Sequence, residues 1–195
     1  AGGLILTSPD GLSWTRRESG TESELCDVIF DGNSFVVVGE SRTVLYSQDG
    51  TAWNAVPPLS SLKSSMNFNK VIYANGLYVA VGEYGAIMTS PDAANWTDRI
   101  SHTTGNLGDV AYGNGTFVAV GHPDGAVVTS PDGVTWTNQV SGSDSYLSGL
   151  VFANNMFVAT GSGGAVLTST NGVDWTNQVS NSSATFSCIA YGDGL

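Results

Sequence analysis

One short stretch of sequence recurs five times along the chain, and few architectures accommodate that. Ser130-Pro131-Asp132-Gly133-Val134-Thr135-Trp136 has counterparts at Ser8 to Trp14, Ser47 to Trp53, Ser90 to Trp96 and Ser169 to Trp175, so the tryptophans stand 39, 43, 40 and 39 residues apart. Every tryptophan of the chain belongs to one of these copies. A period of about 40 residues marks a repeat protein, whose small unit cannot bury its apolar face alone and stacks on copies of itself.

Aligning the tryptophans exposes three apolar runs per unit. In one unit they are Asp109 to Tyr112, Thr116 to Gly121 and Gly125 to Ser130; in another, Val71 to Tyr73, Leu77 to Gly82 and Gly85 to Ser90. Their length and their Val, Ile, Phe and Tyr content are those of β-strands. Asp31-Gly32-Asn33, Asn75-Gly76, Asn114-Gly115 and Asn154-Asn155 supply residues that accept positive φ, so each closes a tight antiparallel hairpin. No stretch keeps a helical period, and glycine interrupts every window long enough for a helix. Four antiparallel strands per repeat describe a propeller blade. The expected fold is an all-β propeller, with the Val110 run innermost, then the Phe117, Val127 and Trp136 runs.

The Ser-Pro-Asp-Gly-x-Thr-Trp text resembles the Asp-box, or BNR-like repeat, of sialidases, some glycoside hydrolases, sortilin-type receptors and photosystem II assembly-factor propellers. The resemblance covers the whole chain and implies fold more than activity. These copies lack one residue between Asp and Gly, a shorter variant similar to bacterial surface repeats of the assembly-factor type. Copy two has Gln48 for Pro, copy three Ala93 for Gly and copy five Asn171 for Asp. The resemblance gives Asp10, Asp49, Asp92, Asp132 and Asn171 the task of accepting backbone N–H groups. Trp14, Trp53, Trp96, Trp136 and Trp175 are expected to fill the gaps between blades. Ala93 is the costlier departure if its position needs positive φ.

The repeat divides a single domain, residues 1–195, into units of about 15–53, 54–96, 97–136 and 137–175, plus a fifth unit split between 176–195 and 1–14. Joined tail to head, the split unit has 34 residues against 39 in its neighbour, and the shortfall matches the whole second strand, Phe157 to Gly161. The expectation is therefore a piece of a longer chain or assembly, because a closed ring missing a strand leaves backbone groups without partners. Cys26 and Cys188 fit no metal spacing and read as small buried thiols. Closure at five blades would bring them close enough to make a disulfide conceivable.

A formal charge of −11, with six basic residues, speaks against nucleic acid and anionic membrane surfaces, both of which need a positive patch. No apolar run is long enough for membrane insertion. Sialidase chemistry, as the resemblance implies it, needs three converging arginines, whereas Arg16, Arg17, Arg42 and Arg99 hold unrelated positions and Asp98-Arg99-Ile100-Ser101 lacks the Arg-Ile-Pro signature. No catalytic residue, metal site or cofactor is expected. His102 and His122 do not make a metal site without further ligands.

What remains is a non-enzymatic binding or structural module, extracellular or on the cell surface, that recognises a glycan or a protein in adhesion or assembly. Glu40, Arg42, Glu83, Tyr84, His122 and Asp124 follow second strands, where loops of one face present candidate ligand-binding residues. The loops Pro57 to Asn69, Ser101 to Gly108, Ser141 to Ser148 and Ser180 to Ser187 vary most and are expected to line one face. The alternatives are a glycoside hydrolase built on two of the loop carboxylates and a protein-assembly factor.

Overall fold

The computed structural model of the protein describes residues 2–57 and 66–192. Most of the loop expected from Pro57 to Asn69 lies outside the described residues. The chain opens on a hairpin of β1 (Leu4–Thr7) and β2 (Thr15–Glu18). Four antiparallel four-stranded sheets follow, each with its strands in chain order. The first is β3 (Leu25–Phe30), β4 (Phe35–Gly39), β5 (Val44–Ser47) and β6 (Asn54–Ala55). The second is β7 (Phe68–Ala74), β8 (Leu77–Gly82), β9 (Ile87–Ser90) and β10 (Thr97–Arg99). Then come β11 (Asn106–Gly113), β12 (Thr116–His122), β13 (Val127–Ser130) and β14 (Thr137–Gln139), and finally β15 (Leu147–Ala153), β16 (Met156–Gly161), β17 (Val166–Ser169) and β18 (Thr176–Asn177). First strands of successive sheets are neighbours in space, the arrangement of propeller blades.

The second strands explain why the runs are almost wholly apolar. Side chains alternate between the two faces of a strand, and here both faces meet another blade. Val79 and Val81 pack with Leu107, Val110, Phe117 and Trp136 of the third sheet. Tyr78 and Ala80, on the other face, pack with Val36 and Val38 of the first. The same arrangement joins the third and fourth sheets through Val118, Val120, Leu147 and Phe157.

The repeated turn holds one geometry in all five copies. In the fourth, the Ser130 hydroxyl donates to Asp132 Oδ1 at 3.0 Å, and that oxygen accepts the N–H groups of Val134 and Thr135, each at 2.8 Å. The indole of Trp136 donates back to the Gly133 carbonyl at 3.0 Å. Asn171 performs the same acceptance in the fifth copy, from Val173 and Asp174 at 2.9 Å. Gly133 has φ of 71°, and Ala93, at the equivalent place, is held at 66°; positive φ is required there.

The two ends lie on different sheets, and two expectations fail there. The hairpin β1–β2 packs on the first sheet, where Thr7 approaches Gly50. The segment from Phe186 runs instead beside β15, with the Phe186 N–H donating to the Gly161 carbonyl at 3.0 Å, and takes the path of a first strand without strand pairing. Cys26 and Cys188 are free and exposed, so the buried thiols expected from sequence are not found and no disulfide joins the ends. Trp136 is 1% exposed and Trp96 6%, but Trp14 is 60% exposed. An indole between two full sheets is covered from both sides, whereas the turn of Trp14 belongs to a two-stranded hairpin.

Candidate functional site

The turns that follow the second strands form a belt along one face. Backbone N–H groups of these turns bond to residues entering first strands, those of the next blade from Ser41 and Tyr84 and those of their own blade from Glu83 and Ser162. Ser41 N–H donates to Asn67 Oδ1 at 3.0 Å, and Glu83 N–H donates to the Asn67 carbonyl at 2.9 Å. Tyr84 N–H donates to Asn106 Oδ1 at 2.9 Å, and Ser162 N–H to the Tyr146 carbonyl at 2.9 Å. The link between the third and fourth blades is aromatic: the His122 and Tyr146 rings stack with centroids 4.6 Å apart. Tyr146 takes the repeat position that Asn67 and Asn106 hold elsewhere, and a ring contact replaces an amide bridge.

Among the residues expected here, Glu40 and Glu83 are half-buried, Tyr84 is 63% exposed, His122 is half-buried and Asp124 is exposed. The structure brings all of them onto the belt. Glu83 Oε2 accepts the Asn67 N–H at 3.2 Å, which leaves its other oxygen available. Arg42 points inward. Its side chain is only 7% exposed, pairs with Asp98, donates to Met88 Sδ at 3.0 Å and lies 5.4 Å from the Phe68 ring centroid. The guanidinium thus joins the first blade to the second, and Met66, Tyr84, Ile87 and Ile100 line a groove of about 400 Å³ beside it.

The belt's mouth is acidic. Partial burial, and after it the carboxylates of Glu40, Glu24, Asp27 and Glu83, push the Cys26 thiol up. Below the mouth, the first strands carry a further set of charges that the sequence reading passed over. Asp27 Oδ2 accepts the Val71 N–H at 3.0 Å and its partner oxygen lies 3.5 Å from Lys70 Nζ. Asp109 Oδ2 accepts the Leu150 N–H at 2.8 Å, and burial pushes its carboxyl up. Asp27, Lys70 and Asp109 occupy one repeat position, directly after a bulge in each first strand. The signal available in sequence was a charge at the same register of otherwise apolar strands. Among the described residues, no three His, Cys, Asp or Glu side chains come together to hold a metal.

Residues 8–141, more than half of the chain, match the model of the DUF6242 beta propeller domain. The chain belongs to the DUF6242 β-propeller family. No curated protein matches its sequence. Among solved structures, this DUF6242 propeller is similar to YCF48 bound to D1 peptide, at 22% identity and a TM-score of 0.68, over 91% of the chain and 60% of that structure. It is also similar to YCF48 from Cyanidioschyzon merolae, at 20% identity and 0.65, over 94% and 64%. Virginiamycin B lyase from Staphylococcus aureus shares the fold at 10% identity and a TM-score of 0.78, over 91% and 63%. The chain therefore spans about 60–64% of the length of these structures, and at such identity the likeness is one of fold.

Proposed function

We propose that this propeller is a non-enzymatic module that binds a segment of another protein across the belt, in the manner of an assembly factor or adhesion domain. The observation that carries the reading is the run of Glu40, Glu83, Tyr84 and the His122–Tyr146 stack on consecutive blades, joined from blade to blade by backbone N–H bonds to the Asn67 and Asn106 side chains and by the ring stack. Exposed aromatic rings offer large, stiff contact area at small entropic cost, and carboxylates beside them select cationic side chains. A net charge of −11 steers the same class of partner toward the surface. That a solved structure of similar fold holds a peptide supports a protein ligand over a glycan. An extracellular or cell-surface setting belongs to the proposal.

Binding of a random peptide library by the whole chain tests it, with a glycan array and a glycoside-hydrolysis assay run in parallel. Enriched peptides should carry Lys or Arg next to an apolar residue. Their affinity should fall about tenfold on Tyr84→Ala and on the double change Glu40→Gln and Glu83→Gln, and should weaken with salt. Glycan binding without peptide binding, or turnover of a glycoside, would overturn the reading.

A further inference from the structure

The junction between the first and second blades is bonded unlike those that follow it. Among the described residues, the two ion pairs present both cross it, Arg42 with Asp98 and Lys70 with Asp27. The second oxygen of Asp27 accepts the Val71 N–H at 3.0 Å, and the Tyr78 hydroxyl donates to Asp31. Three carboxylates therefore hold this junction: Asp98 on β10, Asp27 on β3, and Asp31 where β3 turns into β4. Between the second and third blades the polar bonds come from amides and backbone groups instead. Asn69 Nδ2 donates to the Leu107 carbonyl at 2.9 Å, Tyr84 N–H to Asn106 Oδ1 at 2.9 Å, and Asn138 Nδ2 to the His102 carbonyl. The charged partners also leave the repeat in pairs. Arg42 stands where the other turns have Gly85, Gly125 and Gly164, and Asp98 where the next two blades have Asn138 and Asn177. With φ of 59°, Arg42 keeps a backbone that glycine adopts without strain, and its guanidinium reaches Asp98.

We propose that this junction is an acid-released seam: protonation of Asp27, Asp31 and Asp98 frees the first blade from the second, while the second and third, joined by amides, stay stacked. Protonated Asp98 leaves the Arg42 side chain, only 7% exposed, without its counter-charge, and a buried lone guanidinium is driven toward water. The other charged and titratable groups around the three carboxylates are few. Arg99 and His102 share the groove of Arg42 and Asp98. Asp109 lies beyond Lys70 from Asp27, with Cys26, Glu24, Glu40 and Glu83 at the mouth above. Tyr73 and Asp92 stand near the Tyr78 hydroxyl that Asp31 accepts. Burial alone would raise the Asp31 carboxyl, but bonds from Tyr78 and from the Ser34 and Asn33 N–H groups outweigh it and hold the group below the usual carboxylate range. Its stabilisation is thus present above the unfolded value and lost as pH falls through the folded one. Release parts Glu40 from Glu83 on the belt, whatever that face binds.

Amide hydrogen exchange of the whole chain, followed residue by residue by NMR as pH is lowered, tests the seam. The reporters are the Ser41 and Arg42 N–H groups, which cross it to Asn67 Oδ1 and the Met66 carbonyl and bond to no carboxylate. Tyr84 N–H, bonded to Asn106 at the next junction, is the control. Between pH of about 7 and about 4, protection at Ser41 and Arg42, corrected for the intrinsic rate, should fall about tenfold or more while Tyr84 keeps its own. A variant combining Arg42→Gly, Asp98→Asn, Tyr78→Phe and Asp27→Asn places at the seam the residues of the other junctions or a neutral acceptor. It should fold, as slow exchange of Val79 and Val81 would verify, and its amides at positions 41 and 42 should respond to acid no more than Tyr84. The smaller change Arg42→Gly with Asp98→Asn, which restores the repeat's own residues at both places, should already weaken the response. A loss of protection shared equally by Tyr84, seam protection that lasts until the whole fold melts, or an undiminished acid response in either variant would overturn the proposal.

Discussion

At the scale of single residues, the repeated turn is decided by three atoms and one dihedral. The carboxylate or amide oxygen accepts two N–H groups, and the residue after it takes positive φ. Gly133 has no room for a methyl, because an added Cβ would lie 2.4 Å from Leu77 Cδ2. Gly133→Ala should therefore cost about 1–3 kcal/mol from the left-handed backbone and the displaced leucine, measured by urea unfolding. Ala93 escapes the steric part: the position equivalent to Leu77 in the first blade is Ser34, a smaller side chain. The same turns make the fold sensitive to acid. Bonds from the Asn95 side chain and backbone hold Asp92 down to about 2, and Asp10 and Asp132 are lowered chiefly by the backbone N–H groups they accept. Folded carboxyls with depressed values stabilise the protein above the unfolded value of about 4, and that contribution is lost as pH falls through the folded values. Urea midpoints should drop between pH of about 4 and about 2. Replacing the four aspartates by Asn, which the fifth turn already uses, should flatten that drop.

At the scale of elements, what matters is how one blade meets the next. Tyr78 is 2% exposed and donates its hydroxyl to Asp31 across the junction of the first and second blades. At the two following junctions, Ala74 and Gly113 take the place of Asp31, with Phe117 and Phe157 in the place of Tyr78. Tyr78→Phe should cost about 1.5–3 kcal/mol as a lost bond to a charged acceptor. The double change with Asp31→Ala should cost less than the two single changes summed, a coupling that a double-mutant cycle in urea reads directly. Strands and turns were legible in the sequence because each unit repeats their signals: short runs rich in Val, Ile, Phe and Tyr, Asn-Gly at the hairpins, tryptophan after the aspartate. Junction chemistry was not. Arg42 and Asp98 are 56 residues apart and pair across blades, and nothing local marks either as a partner. The His122–Tyr146 stack could have been found by comparing positions, since Tyr146 stands where two other units have Asn67 and Asn106.

At the scale of the whole molecule, the chain is a radial array in which cores lie between sheets rather than within them. That arrangement explains why burial of the tryptophans follows position in the array: 1% exposed for Trp136, 6% for Trp96 and 60% for Trp14. The indoles of Trp96 and Trp136 are engaged at the junctions, while Tyr84 and Asp124 of the belt remain exposed. The most direct measurement is hydrogen exchange of the five indole N–H groups by NMR in tryptophan-labelled protein. Each indole donates to a carbonyl within its own turn, so differences in exchange report the cover supplied by neighbouring blades. Trp136 and Trp96 should exchange slowest and Trp14 fastest, with Trp53 and Trp175 between them. Equal and rapid exchange at all five would contradict the stacked array.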